Sequence, residues 1–340
     1  MPDMMQLFRE FASVAGISGC EQRTAALVRR MAEPYVDEIR TDTMGNVICH
    51  KKGPGKRILL AAHMDVVGFY VRGIDEKGNV YVDFSGGVNK SCIWNRAVRF
   101  ENGARGVVRP VAADVEKEPG NKKASEIITE DLFIETGAET YEEATKLVSI
   151  GESAVWEGET CRCGMSRIMS PYIDDAAGSI TLLKMMERLQ NCPNDLWFAF
   201  TVCEEIGSFG AKTVIGGIDC DYAISVDVAP ATDALSGNAD HFRLSLGKGP
   251  ALTLREYGFI ANPEFRGMLT AVAERESIPY QAKLSRGGTD AKEFASAKAG
   301  TMTMSVGIPH RYIHTPNEII DERDIDAVCD LLCAFVQSEL

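Results

Sequence analysis

From Asp174 onward the apolar periodicity switches repeatedly between helix and strand, and this alternation limits the fold more than any other feature of the chain. Helix Ala176–Leu189 precedes strand Asp195–Cys203, and helix Phe209–Ile215 precedes strand Tyr222–Val228. Helix Pro263–Ser277 precedes strand Tyr280–Leu284, helix Thr289–Ala297 precedes strand Thr301–Val306, and helix Glu322–Ser338 closes the chain. Such alternation predicts an α/β fold with a mostly parallel central sheet and helices on both faces. Upstream, Leu7, Phe8, Phe11 and Val14 mark one helix, Gly16-Ile-Ser-Gly19 a break, and Glu21–Met31 a second helix. A hairpin over Glu38–His50 turns at Gly45-Asn46, and Arg57–Ala62 reads as a central strand. Between about residues 68 and 165 the helical period nearly vanishes. Short β pieces at Gly68–Ile74, Asn79–Phe84, Ala97–Glu101 and Gly106–Val111, with one short helix at Tyr141–Val148, take its place. The expected organisation is an α/β domain made of residues 1–67 and 165–340, interrupted by a small, mostly β inserted domain over 68–164. A length of 340 residues suits about two domains.

Charge narrows the partners. The chain carries 36 Lys+Arg against 49 Asp+Glu, a net charge of −13, which argues against nucleic acid and against an anionic membrane surface. Small molecules, peptides and metal cations remain. No apolar run approaches the roughly 18 residues of a membrane span. Met1–Glu10 carries charges where a signal peptide has an apolar stretch, and ten cysteines lie scattered. They read as reduced thiols in the cytoplasm. Cys161-Arg-Cys163 is a close pair, but no second pair follows at zinc-knuckle spacing, so ordinary strand or loop cysteines are expected.

Ligands of open α/β sheets bind beyond the carboxyl ends of the strands. Here acids and histidines recur at those ends. His63 and Asp65 follow strand Arg57–Ala62, and Glu204 and Glu205 follow Leu196–Cys203. Asp227 ends strand Tyr222–Val226, His314 follows Thr301–Val306, and Asp174-Asp175 immediately precedes a helix. Taken singly, each has a plain structural reading: a helix cap for Asp174 or Asp175, a solvated loop for Glu204-Glu205, a turn for Asp227, a satisfied histidine for His314. Taken together, carboxylates crowded without Lys or Arg among them repel one another unless cations sit between. Two divalent metals would supply those cations, and mixed imidazole and carboxylate donors suit Zn, Co or Mn.

At these residues the sequence resembles the glutamyl/deblocking aminopeptidases, a family of dinuclear zinc-exopeptidase fold that includes members named endoglucanase. The matching pieces run the length of the chain in order. They are Gly16-Ile-Ser-Gly-Cys-Glu21, Ala62-His-Met-Asp65, Asp174-Asp175 with Gly178, Cys203-Glu-Glu-Ile-Gly207, Val226-Asp-Val228, Leu246-Gly-Lys-Gly-Pro250, Gly287-Gly-Thr-Asp290 and Arg311-Tyr-Ile-His-Thr-Pro316. The resemblance implies that His63, Asp174 and Asp227 hold one metal and that Asp174, Glu205 and His314 hold the other, with Asp174 bridging. It implies Glu204 as general base, and Asp65 as acceptor of a hydrogen bond from the far ring nitrogen of His63. It also implies a cis peptide after Asp174. Val66 and Ala176 depart from the residues many relatives carry, at positions that bear on substrate preference and not on metal binding.

The function expected is a metal-dependent aminopeptidase acting on short peptides. A metal-dependent amidohydrolase on N-acyl groups would use nearly the same site. A glycosidase could use a carboxylate pair such as Glu204 with Asp227, but it needs no histidines at strand ends. By the resemblance, dimers assemble into a tetrahedral dodecamer, with residues 68–164 mediating dimer contacts. Phe69, Tyr70, Phe84, Ile93 and Trp94 are candidates for an exposed contact surface, or alternatively for the filling of a small β-barrel. Arg255, Lys283, Arg286, Lys292 and Arg311 are the candidate cations for an acidic substrate side chain.

Overall fold

The computed structural model describes residues 1–111, 123–233 and 244–339. Among the described residues its larger sheet has 12 strands. Asp195–Thr201, Arg57–His63, Tyr222–Pro230 and Met302–Arg311 lie side by side and run parallel at its centre. The flanks are antiparallel: Glu38–Thr41 and Val47–Lys51 on one side, and Glu318–Asp321, Arg167–Ser170 and Cys161–Cys163 on the other. The sheet is therefore mixed, where the sequence predicted a mostly parallel one. Short connections account for three of the antiparallel pairs, Glu38–Thr41 with Val47–Lys51, Cys161–Cys163 with Arg167–Ser170, and Met302–Arg311 with Glu318–Asp321, because a tight turn can only return the chain antiparallel.

The strand Arg57–His63 shows why this segment is central. Ile58, Leu60 and Ala62 point to one face, into a core shared with Leu7, Phe8, Leu183 and Phe335. Leu59 and Ala61 point to the other, against Ala211, Val214, Ile215 and Phe294. Period-two alternation thus buries both faces of one strand. Helices Met4–Val14, Gln22–Ala32, Ile173–Arg188 and Glu322–Val336 supply the first layer, and Phe209–Gly217 with Ala291–Ser296 the second. Between the first two helices the chain must turn tightly. A side chain at Gly16 would meet the Cys20 carbonyl oxygen at 2.0 Å, and Gly19 has φ +86.

Within residues 68–156 six strands close into a barrel. In order around it they are Gly68–Ile74, Val80–Ser85, Leu132–Glu135, Arg105–Pro110, Ala97–Phe100 and Ser153–Trp156. Closure leaves no open edge. Phe69, Ile93, Phe100 and Trp156 are fully buried inside, Phe69 meeting Trp156 edge-on at 4.9 Å between ring centres. Tyr70, Phe84 and Trp94 pack half-buried against the same core. Phe69 and Ile93 therefore belong to the barrel core, Tyr70 turns to the opposite face of its strand and donates from its hydroxyl to the Ser18 carbonyl oxygen at 2.8 Å, and none of the five aromatic and apolar candidates is exposed. The apolar side chains that do reach solvent in this region include Ile128 at 52% and Ile150 at 64%. Cys161–Cys163 pairs with Arg167–Ser170 in the larger sheet, so the passage from barrel to sheet falls between Trp156 and Cys161, short of residue 164. All ten cysteines are free thiols. Among the described residues no helix is long and apolar enough to cross a membrane.

Candidate metal centre

The parallel strands deliver their carboxyl ends to one edge of the sheet. His63 ends its strand level with Thr201 of the neighbouring strand. Its ring Nδ1 donates to the backbone oxygen of Asp65 at 3.0 Å, which turns Nε2 towards Asp174 Oδ1, 3.1 Å away. The other oxygen of Asp174 lies 3.3 Å from His314 Nε2, and that nitrogen is 3.2 Å from Glu205 Oε1. Asp174 therefore stands between the two imidazoles. The donor atoms of Asp174, Glu205 and His314 fall within 4.8 Å of one another, as do those of His63, Asp175 and Asp227. Glu204 faces the same cavity of about 440 Å³, together with His63, Asp174, Glu205, Asp227 and His314.

Local backbone explains each placement. Asp174 opens the helix Ile173–Arg188, yet its ψ of 108 is not helical, and the peptide bond to Asp175 is cis, as the resemblance implied. Asp175 then accepts from the backbone N–H of Gly178 at 2.9 Å and of His63 at 3.3 Å. Gly178 must lack a side chain, because a Cβ there would sit 2.4 Å from Asp175 Oδ2. Asp175, named beside Asp174 among the clustered acids, was given no role of its own, although the Asp-Asp-x-x-Gly spacing carried the signal. Asp65 differs from expectation in detail. The ring nitrogen of His63 bonds its backbone oxygen, and the carboxylate is 3.6 Å away. That carboxylate accepts from Ser18 Oγ at 2.6 Å and from the N–H groups of Glu204 and Glu205 at 3.0 and 3.1 Å. Asp65 thus ties down the turn that carries Glu204 and Glu205. Ser208 Oγ donates to Glu204 Oε1 at 3.3 Å.

The barrel reaches into the site, which sequence reasoning did not foresee. The loop after strand Val80–Ser85 brings the Gly87 carbonyl to His314 Nδ1 at 2.7 Å. This bond directs His314 Nε2 at Asp174 and Glu205. A backbone carbonyl leaves no side-chain signature, so no sequence signal marked it. Gly86 has φ +72, and a Cβ there would lie 3.0 Å from Glu205 Cβ.

The electrostatics are those of a cation site. Burial, and then the charge of Asp174, push Asp227 up to about 8. Burial likewise raises Asp175, Glu204 and Glu205. For Asp174 burial is outweighed by the bonds from His314 and His63, which hold it well below the usual carboxylate range. In the imidazoles burial opposes protonation, but Asp174 and its neighbours prevail: His63 is raised well above its ordinary value and His314 to about 12. Glu205 Oε1 is buried, and despite its closeness to His314 no donor among the described residues satisfies it in hydrogen-bond geometry. A buried acceptor left open in this way suits a metal. Lys283, also on the cavity wall, is already paired with Glu256 at 2.9 Å.

Residues 45–331 match the sequence pattern of the M42 glutamyl aminopeptidases. The chain belongs to the M42 glutamyl aminopeptidase family. A relative from Acetivibrio thermocellus is 35% identical over 332 residues, covering 97% of each chain. The lysyl aminopeptidase of Pyrococcus furiosus is 30% identical over 342 residues, with 98% of this chain and 96% of that one covered. Among solved structures, aminopeptidase APDkam598 from Desulfurococcus kamchatkensis superposes with a TM-score of 0.92 at 34% identity, covering 98% of this chain and 94% of that one. The Pyrococcus horikoshii TET1 peptidase, which assembles into a tetrahedron or a large octahedral shell, gives 0.87 at 27% identity, with 98% and 99% covered. This M42 member is accordingly an aminopeptidase, a hydrolase acting on peptide bonds.

Proposed function

We propose that the chain is a two-metal aminopeptidase that removes the N-terminal residue of short peptides. The observation that carries this reading is Asp174, whose two oxygens face two different imidazoles. In this reading His63, Asp174 and Asp227 hold one divalent ion, and Asp174, Glu205 and His314 hold the other, with Asp174 shared. Zinc suits the donors best, and cobalt or manganese also fit. Asp175, with both oxygens engaged by backbone N–H groups, acts as a buttress behind His63. When bound, such a pair acidifies water and polarises the scissile carbonyl. Glu204 touches both the cavity and the ligand-bearing turn. It takes the proton from the attacking water and returns it to the leaving amine. Asp65 fixes the amides of Glu204 and Glu205, and so sets the distance between base and ligand.

The cavity wall suggests the side chain accepted. Arg311 is paired with Asp233 at 2.9 Å, Lys283 is paired with Glu256, and Arg255 and Arg286 lie at exposed positions outside the lining. Lys292 lines the cavity with no ion-pair partner among the described residues. An acidic substrate residue would supply one, so Glu or Asp is favoured at the substrate N-terminus. We further propose that the enzyme works in the cytoplasm and that residues 68–164 serve dimers that assemble to a closed dodecameric shell, as a family relation to a tetrahedral peptidase supports.

Metal analysis followed by assays on amino-acid p-nitroanilides, with and without chelator, tests the reading. Chelator-sensitive release from free-amine substrates is expected. Turnover confined to N-acyl substrates would point to a deacylase, and turnover of glycosides to a glycosidase.

A further inference from the structure

We propose that Glu318 is a positioning residue that holds the two segments of the metal centre in register through their backbones. This rests on the two-metal reading above. Glu318 is 1% exposed and does not line the cavity, so it is neither a metal ligand nor a substrate contact. Its Oε2 accepts from the backbone N–H of Asp174 at 3.0 Å, and its Oε1 accepts from the backbone N–H of His314 at 2.8 Å. One carboxylate therefore grips the shared ligand, Asp174, and one of the two ligands held by the second ion alone, His314.

The topology explains how one side chain can do this. Glu318 opens strand Glu318–Asp321 directly opposite Ser170, the last residue of strand Arg167–Ser170. Asp174 follows that neighbouring strand, and His314 precedes Glu318 in its own segment. Both ligand-bearing segments thus leave one β ladder at one point, and Glu318 stands there. Both need an anchor. His314 has φ +61, a left-handed conformation uncommon outside glycine. The Asp174 N–H lies in the first turn of its helix and has no partner within the helix. A buried N–H left without an acceptor is costly, so each segment is drawn to Glu318 and held.

Two oxygens are required, because each N–H takes one. Glu318→Gln offers one carbonyl oxygen and turns an NH2 group towards the other N–H. It therefore keeps one bond and opposes the second, whereas Glu318→Ala loses both.

The test uses the full chain stripped of metal and titrated with zinc against a chromophoric chelator, with thermal unfolding of the metal-free protein alongside. Loss of a residue that orients ligands from behind typically weakens metal binding about 10–100-fold. Such a loss is expected for Glu318→Ala, most clearly for the ion that Asp174, Glu205 and His314 hold, with a smaller loss for Glu318→Gln. Excess zinc should restore most of kcat in Glu318→Gln, and KM should stay unchanged, because the residue touches no substrate. If Glu318→Ala does not fold, the affinity and zinc rescue of Glu318→Gln decide. Wild-type affinity in the folded variants, or an activity loss that follows melting temperature and ignores added zinc, overturns the proposal. A wild-type chain that binds neither zinc, cobalt nor manganese defeats the two-metal reading as well. A wild-type chain that binds two ions beside variants that bind them equally well defeats the role of Glu318 alone.

Discussion

The two halves of the centre are built differently. His63 ends a central strand, its side chain is 3% exposed, and its ring is aimed by a carbonyl two residues along the same chain. His314 sits in a loop, its side chain is 21% exposed, and its ring is aimed by the Gly87 carbonyl from the barrel. The first half is built from strand ends of the larger sheet and the start of helix Ile173–Arg188. The second needs, in addition, a loop of the barrel to arrive. The His314 half should therefore be the weaker site and the one through which barrel and sheet are coupled.

Breaking the residue common to both halves should have the largest effect. Asp174→Asn removes the charge that both imidazoles face. We expect both ions to be lost and kcat/KM to fall by about 10⁴-fold or more, the several kcal/mol that metal catalysis supplies. Retention of either ion at wild-type affinity would show that the halves do not share Asp174.

Next in size is the proposed base, Glu204. Glu204→Gln should keep both metals and lose about 10² to 10⁴ in kcat, because only the proton transfer is gone. Glu205→Gln should instead weaken the ion in the His314 half and recover with added metal. Equal metal content and equal loss in the two variants would reverse the assignment.

A smaller effect sharpens the comparison from the barrel side. A Cβ at Gly87 would lie 3.0 Å from His314 Nδ1. Gly87→Ala should loosen only the His314 half, about 10-fold in affinity, by displacing the partner that orients that ring. Sequential metal titration would resolve this, and an equal effect on both ions would contradict the asymmetry.

The smallest effect concerns substrate choice. Lys292→Met should reduce the preference for Glu over Leu p-nitroanilide by about tenfold in kcat/KM, near 1.4 kcal/mol. A Leu preference of that size in the wild type would instead remove the acidic reading.

This comparison also separates what the sequence made legible from what it did not. The His63 half was readable because its residues sit at strand ends, where apolar runs stop and polar residues begin. Asp227 and the Glu204-Glu205 pair were readable for the same reason. The supports of the His314 half were not. Gly87 acts through its backbone, and Glu318 is a single acid in a loop-like stretch. Strand Glu318–Asp321 has 4 residues, too few to show a period. Barrel strands Leu132–Glu135 and Ser153–Trp156 escaped notice for the same reason, and with them the closure that buries Phe69 and Trp156. The hairpin flank Glu38–Lys51 was legible from its turn, but the antiparallel flank of Glu318–Asp321, Arg167–Ser170 and Cys161–Cys163 was hidden, because periodicity does not report pairing direction. The carboxylate of Asp65 serves the Glu204–Glu205 turn, a contact between residues 139 and 140 positions apart that the sequence did not mark.

The central claim is that Asp174 joins two ions in one working centre. Elemental analysis of protein purified without chelator, paired with activity during exhaustive chelation and stepwise metal return, tests it most directly. The account predicts two divalent ions per chain at saturation, activity lost on chelation and regained as the second ion returns. A saturated stoichiometry of one, or activity that survives complete metal removal, would contradict it.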